Sequence, residues 1–379
     1  MSTVNVRALN TEKVLQTILN ERHISRSDVS KKVGINKVTI SEIVETLIKR
    51  QLIVETGRGS STHNGGRKPT MLMLNPNYGY TISIDFAYDY MDFMINKING
   101  EVLSVVHMDT GNNTILERID MLCNKIKKIR INTVNGLLGI SLAFHGVIND
   151  KKIIYSPQLN LESVDIYGEL KKRFSVPIII ENEANLSVVF ERDFIDHYDD
   201  VNMVCISIHR GVGAGIILNN KLYTGSCGEA GEVGHIVVSN NDGHVKTFED
   251  YCSEMNVLKK LRLLKDNESL SFEDIADLYC KKDAETTDIL NEFNYYLTML
   301  TQNIMLSFDP QKIVYNSRLL HVIPELLDRP NSQLKKSMFW PSSGISLIED
   351  VNRATLLGGC ANITRHVLNF DDKRVIFEA

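Results

Sequence analysis

The stretch Ile82–Leu103, ISIDFAYDYMDFMINKINGEVL, and its echo Ile206–Leu222, ISIHRGVGAGIILNNKL, decide the fold of this chain. Each reads as an apolar strand, a polar or glycine-bearing turn, a second apolar strand and an Asn-led hairpin turn: Asn99-Gly100 in the first, Asn219-Asn220 in the second. Between them, Ile115, Ile119, Leu122, Ile126 and Ile129 recur at helical spacing, and Leu137–Phe144 and Val176–Ile180 are apolar runs of strand length. A strand-strand-helix-strand order read twice predicts an α/β body of two duplicated lobes, with the cleft between them as the natural ligand site.

Outward from that body, 379 residues with 43% hydrophobic and 23% charged composition suit two or three globular domains. No apolar run reaches the ~18 residues of a membrane span. The longest, Gly136–Ile148, contains Ser141 and His145, and the N-terminus lacks an apolar signal core. Six cysteines stand at least 22 residues apart with no C-x-x-C pair, which excludes a zinc ribbon or a thioredoxin-type site. Reduced, buried thiols and a cytoplasmic location are expected.

Charge divides the chain. Residues 1–75 hold 12 Lys+Arg and 6 Asp+Glu, a net of +6; of the total 42 basic and 47 acidic residues this leaves 30 and 41, a net of −11. A basic head on an acidic body suggests that the head meets a polyanion. Val14, Leu15, Ile18 and Leu19 share one helical face; Ser25 is a helix N-cap with Asp28 three residues on; Gly34 ends that helix; a third begins at Asn36 with an Ile40, Ile43, Val44, Leu47, Ile48 stripe. This is the layout of a helix-turn-helix. Its recognition helix offers Asn36, Lys37, Thr39 and Ser41 to base edges and phosphates. Two strands, Leu52–Glu55 and Met71–Leu74, flank TGRGSSTHNGGRKPT and form a wing whose Arg58, Arg67 and Lys68 reach phosphates or the minor groove. The alternatives are a solvated polar helix face and a flexible Gly/Ser linker.

Two stretches of the body carry candidate chemistry. Glu181-Asn182-Glu183-Ala184-Asn185 follows the strand VPIII, where α/β folds bind ligands. GEAGEVGHI, Gly228–Ile236, places Glu232 and His235 three apart, and Glu249 follows. Carboxylates, an amide and an imidazole suit the hydrogen bonding of a neutral polyol. Taken singly, each Glu also fits solvated surface and His235 a structural histidine.

With these residues in view, the chain resembles the ROK family (repressors, open reading frames of unknown role, and sugar kinases), and within it the xylose-responsive repressors of Gram-positive bacteria. The resemblance covers nearly the whole chain: ISRSDVSKKVGINKVTISEIVETL for the helix-turn-helix, GGRKPTMLMLNP for the wing exit, then ENEAN, GVGAGI and GEVGH in order. It implies an α/β chain with a winged helix-turn-helix over residues 1–75 and a two-lobed, actin-like domain of the sugar kinase and hexokinase type over 76–379. The lobes are expected at roughly 76–190 with the C-terminal helix, and 191–360. It further implies a sugar held by Asn182, Glu183, Glu232, His235 and Glu249, with Glu183 where the family's kinases place a catalytic Asp.

Two departures bear on function. Family members with zinc carry C-x-C-G-x-x-G-C-x-E after the GH pair; here the stretch is DGHVKTFED, without cysteine, so neither metal nor other cofactor is expected. The family's D-x-G-x-T phosphate loop is Asp85-Phe86-Ala87-Tyr88-Asp89; Arg210 stands where the second loop of kinases has Thr; and Tyr315-Asn316-Ser317 replaces a Gly-Gly turn that abuts adenosine. A second carboxylate repels phosphate and a Cβ blocks backbone approach. A sugar-responsive, non-enzymatic repressor is therefore expected, a homodimer on a palindromic operator in double-stranded DNA. The rivals are a sugar kinase with a fused DNA-binding head, a repressor of another sugar, and one whose body only dimerises. D-xylose is the expected ligand, because Glu183, one methylene longer than Asp, extends into the gap a pyranose pentose leaves at the missing C6 group and crowds a hexose.

Overall fold

A computed structural model describes residues 3–58, 68–157, 159–161, 163–239, 245–335, 342, 344–371 and 373–377. Contacts group the chain into two compact units: residues 1–142, 161–179 and 360–379, and residues 143–160 and 180–359.

Unit 1 opens with helix α1 (Thr3–Glu21), strand β1 (Ile24–Ser25), α2 (Arg26–Val33) and α3 (Lys37–Lys49), then the hairpin β2 (Ile53–Arg58) and β3 (Thr70–Leu74). Local capping sets these boundaries. Ser25 Oγ accepts from the Asp28 backbone N–H, and the left-handed Gly34 (φ 71°) stops α2. The Asn36 side chain accepts from the Thr39 N–H and starts α3. The apolar stripes of α1 and α3 meet: Val14, Ile18, Ile40, Val44 and Leu47 are fully buried. β3 pairs with both β1 and β2 in a three-stranded sheet. The chain's end joins this head. Gln16 Nε2 and Asn20 Nδ2 donate to the Arg374 carbonyl at 2.8 and 3.1 Å, and the Ile376 N–H donates to Asn20 Oδ1 at 3.0 Å. Lys373 pairs with Glu12.

The rest of unit 1 is built on β4 (Tyr80–Phe86), β5 (Tyr90–Lys97), β6 (Val102–Asp109), α4 (Ile115–Lys128) and β7 (Leu137–Phe144). The hairpin β8 (Val147–Asn149) and β9 (Lys152–Tyr155), which belongs to unit 2, follows in the chain, then α5 (Ile166–Arg173) and β10 (Ile178–Asn182). The five-stranded sheet runs β10-β7-β4-β5-β6. A capping box between Thr114 and Glu117 starts α4.

Unit 2 contains α6 (Glu183–Phe190), β11 (Met203–Ile208), β12 (Val212–Leu218), β13 (Lys221–Leu222), β14 (Val237–Ser239), β15 (Val245–Thr247), α7 (Phe248–Cys252), α8 (Glu254–Leu264), α9 (Phe272–Cys280), α10 (Ala284–Phe308), β16 (Lys312–Ser317), α11 (Arg318–Val322), α12 (Asp328–Lys335) and β17 (Gly344–Leu347). Its sheet runs β13-β12-β11-β16-β17, with β11 antiparallel to β12 and parallel to β16. Asn219 and Asn220 (φ 54° and 62°) make the tight turn between β12 and β13. The last helix, α13 (Ala354–Leu368), begins in unit 2 and ends in unit 1. No described helix is long and apolar enough to cross a membrane.

Candidate functional site

A cavity of about 70 Å³ lies wholly within unit 2, at the C-terminal end of β10 and beside the β11–β12 turn. Asn182, Glu183, Glu232, His235 and Glu249 all line it. β10 delivers the first two. Asn182 is the N-cap of α6: its Oδ1 accepts from the Asn185 N–H, while its Nδ2 donates to the Gly146 carbonyl at 2.9 Å. Glu183 is thereby the first residue of a helix, where a negative charge faces the positive end of the macrodipole.

The Glu183 side chain is only 9% exposed. Its Oε1 accepts from Ser207 Oγ at 2.6 Å and Ser187 Oγ at 3.2 Å, and from Asn316 Nδ2 and Thr355 Oγ1, both at 3.4 Å. His209 Nε2 lies 3.4 Å from the same oxygen, and His209 Nδ1 lies 3.8 Å from Glu254 Oε2. Glu254 Oε1 in turn accepts from Ser317 Oγ at 2.6 Å and the Leu319 N–H at 2.8 Å. A carboxylate thus faces each ring nitrogen of His209. Burial lowers its pKa, but Glu183 and Glu254 outweigh burial and raise it well above its ordinary value. Burial pushes the Glu183 carboxyl up; His209, then His145, and the Ser207 hydroxyl overturn that and hold it at about 2.

The Glu183 side chain reaches a nest of donors gathered on Oε1, and none of those contacts involves Oε2.

The other wall is the Gly-rich stretch. Gly228 (φ 80°) and Gly231 (φ 98°) are left-handed, and a Cβ on them would fall 1.9 Å from the carbonyl oxygens of Ile148 and Ala214. That close approach threads the segment against β8 and β12 and delivers Glu232 and His235, whose Nε2 is 3.7 Å from Glu232 Oε2. Burial raises the Glu232 pKa; His235 opposes this, while Glu249 and Glu229 add to it. Glu249 Oε2 accepts from the Val212 N–H at 3.2 Å, and a Cβ on Gly211 would meet that oxygen at 2.7 Å. His145, Tyr155 and His209 also line the cavity. Sequence reasoning passed over all three; a histidine opening the glycine turn HRGVGAG was the signal available for His209.

After His235 the chain forms the hairpin β14–β15. Cys227 is exposed and Cys252 is buried in the unit 2 core. Among the described residues no group of three or more His, Cys, Asp or Glu is arranged to hold a metal ion. Residues of the stretch that departs from the family's phosphate-loop pattern have protein partners. Arg118 Nη1 donates to the Ala87 carbonyl at 3.1 Å and the Tyr90 hydroxyl to Asp85 at 3.2 Å. Tyr315 is buried in the unit 2 core.

The candidate nucleic-acid interface is the head. Asn36 and Lys37 are exposed; Thr39 and Ser41 are half-buried, with Ser41 Oγ donating to the Lys37 carbonyl at 2.9 Å. The Asn36 Oδ1 is used as the cap of α3. Lys68 is exposed at the entry to β3. Arg58 closes β2, after a register shift between Thr56 and Arg58. Arg67 lies outside the described residues.

A sequence model of the ROK family matches residues 81–348. The chain belongs to the ROK family. It is 36% identical to the xylose repressor of Lactiplantibacillus pentosus over 383 residues, covering 100% of this chain and 98% of that one. It is also 36% identical to the xylose repressor of Staphylococcus xylosus, covering 96% of each. Among solved structures, a ROK family transcriptional regulator, a homologue of the Escherichia coli MLC protein, superposes with a TM-score of 0.78 at 20% identity, over 97% of this chain and 98% of that one. A ROK family glucokinase from Streptomyces griseus, in complex with glucose and AMPPNP, gives 0.63 at 21% identity, over 76% and 100%. These two establish the ROK fold: the first extends over the head, the second spans a length matching the body.

Proposed function

We propose that this ROK protein is a sugar-responsive transcriptional repressor of xylose genes, that its ligand is D-xylose, and that it acts as a two-fold homodimer on a palindromic operator. The observation that carries the reading is the presence, in one chain, of a capped helix-turn-helix head and a small polar cavity lined by Asn182, Glu183, Glu232, His235 and Glu249. The cavity's volume of about 70 Å³ is well below the ~300–1,000 Å³ of drug-sized ligand sites, which favours one sugar ring over a disaccharide or a nucleotide. Glu183 is ionised in it, so a neutral polyol suits it better than a sugar phosphate. Glu183 Oε2 is the oxygen assigned to the sugar.

The kinase alternative lacks a specific observation in its favour. Asp85, Ala87 and Asp89 stand in the first phosphate loop, and the Asn316 and Ser317 side chains point to Ser187 and Glu254. Repression then works through a coupling free energy between sugar and operator sites, which is reciprocal. Fluorescence anisotropy of a labelled operator duplex tests this directly: xylose releases the protein, and operator in turn weakens xylose binding by the same factor. A thermal-shift series in which no pentose raises the midpoint, or an operator affinity unmoved by every sugar bound, refutes it.

A further inference from the structure

The outward face of the recognition helix includes residues that the sequence did not put forward. Ile40, Ile43, Val44 and Leu47 are buried. Opposite them, at i, i+4, i+7 and i+11, stand Val38, Glu42, Glu45 and Lys49, all exposed. Val38 is 71% exposed and is the only apolar member of that stripe. It sits at the second position of the helix, in the turn that a helix-turn-helix presents to base edges. A β-branched residue is a poor choice for an exposed helix position on propensity alone. Lys37 beside it is exposed, which puts a cation next to the methyl groups on a head of net charge +6. Asn36 Oδ1 and Ser41 Oγ, by contrast, already serve backbone groups of the helix.

Resting on the operator-binding reading above, we infer that Val38 seats against the 5-methyl group of a thymine in the major groove and so specifies thymine at one position of each half-site. The C5-methyl is the one apolar feature a base edge presents there, and only thymine among the unmodified bases carries it. The valine methyls have no hydrogen-bonding capacity, so what distinguishes the base is contact area removed from water.

Deoxyuridine isolates that methyl group, because it differs from thymidine only at C5. The full-length protein first enriches duplexes from a pool with a randomised core. Each thymine of the enriched duplex is then replaced in turn by deoxyuridine, and affinity is measured by anisotropy. One thymine per half-site is expected to show a loss of about fourfold, the value of roughly one buried methyl group. Val38→Ala, an exposed change to a better helix former, is expected to bind the thymine duplex about sixteenfold more weakly, about fourfold for each of the two half-sites of the dimer, and to show no further loss with deoxyuridine. A wild type indifferent to uracil at every position overturns the inference, as does a uracil penalty that persists in Val38→Ala. A wild type that enriches no duplex overturns the operator-binding reading itself, and Val38 with it.

Discussion

Replacing Glu183 by Gln keeps the shape of the side chain and removes its charge from the nest formed by Ser187, Ser207, His209, Asn316 and Thr355. In the folded protein the carboxyl titrates at about 2 against an ordinary 4.5. That difference corresponds to about 3 kcal/mol of stability. The sign follows from the depressed value: the contribution is fully present above pH ~4.5 and is lost as pH falls through ~2. Wild type is expected to exceed Glu183→Gln by about 3 kcal/mol at pH 5.5 and by only about 1.5 kcal/mol at pH 3. Comparing the two proteins cancels every other acid group that titrates in the same window. For 150–250 residues each kcal/mol moves the midpoint by roughly 2–4 °C, so the gap in Tm should narrow by about 3–6 °C. Thermal unfolding at four pH values between 5.5 and 3 reads it out. A gap that stays constant over that range refutes the assignment of Glu183 as a buried, charge-stabilised carboxylate.

Further outcomes follow from the same residues. Lys37→Ala should weaken operator binding and reduce the slope of log K against log salt by about 1 if Lys37 contacts a phosphate; an unchanged slope removes it from the interface. Protein purified without a metal-binding tag should contain no stoichiometric zinc by elemental analysis, and about one zinc per chain would mean that Cys227 or Cys252 is a ligand. Sugar-dependent ATP turnover should be absent; turnover that vanishes in Glu183→Gln would restore the kinase alternative. Isothermal titration should show xylose bound more tightly than glucose, with the preference reduced in Glu183→Asp, whose shorter side chain no longer spans from the cavity to Ser207; a wild type that prefers glucose contradicts the assignment of xylose.

What was legible in the sequence was legible because it is local. Ser25, Gly34 and Asn36 mark helix ends by bonds to residues within four positions of themselves, and the structure places the boundaries there. Strand ends were less sharp. The run Val176–Ile180 becomes a strand over Ile178–Asn182, because Glu181 and Asn182 stay extended to let Asn182 cap the next helix. Glu232 and His235 announced themselves through glycine spacing, which reflects backbone close enough to Ile148 and Ala214 to exclude a Cβ. His209 gave no comparable signal. Its partners, Glu183 and Glu254, begin different helices far from it in the chain, and no periodicity links them. Val38 was passed over for the opposite reason: an apolar residue in a helix reads as core, and only the observed burial of Ile40, Ile43, Val44 and Leu47 shows that it faces outward.

The departures from the kinase pattern and the ionised Glu183 belong to one arrangement. Asn316 and Ser317 stand where a Gly-Gly turn would leave room for a base, and His209 opens the loop in which Arg210 replaces a threonine. Asn316 donates to Ser187 Oγ at 3.0 Å and approaches Glu183 Oε1; Ser317 fixes Glu254; Glu254 and Glu183 hold His209 between them. A buried carboxylate without a partner would take up a proton, and a protonated Glu183 would offer a sugar a different hydrogen-bonding pattern. Asn316, the hydroxyls of Ser187, Ser207 and Thr355, and the nearby His209 ring oppose that by gathering on Oε1. Asn316 and Ser317, two of the departures from the kinase pattern, thus belong to the same hydrogen-bond network that holds the charge of Glu183 in place.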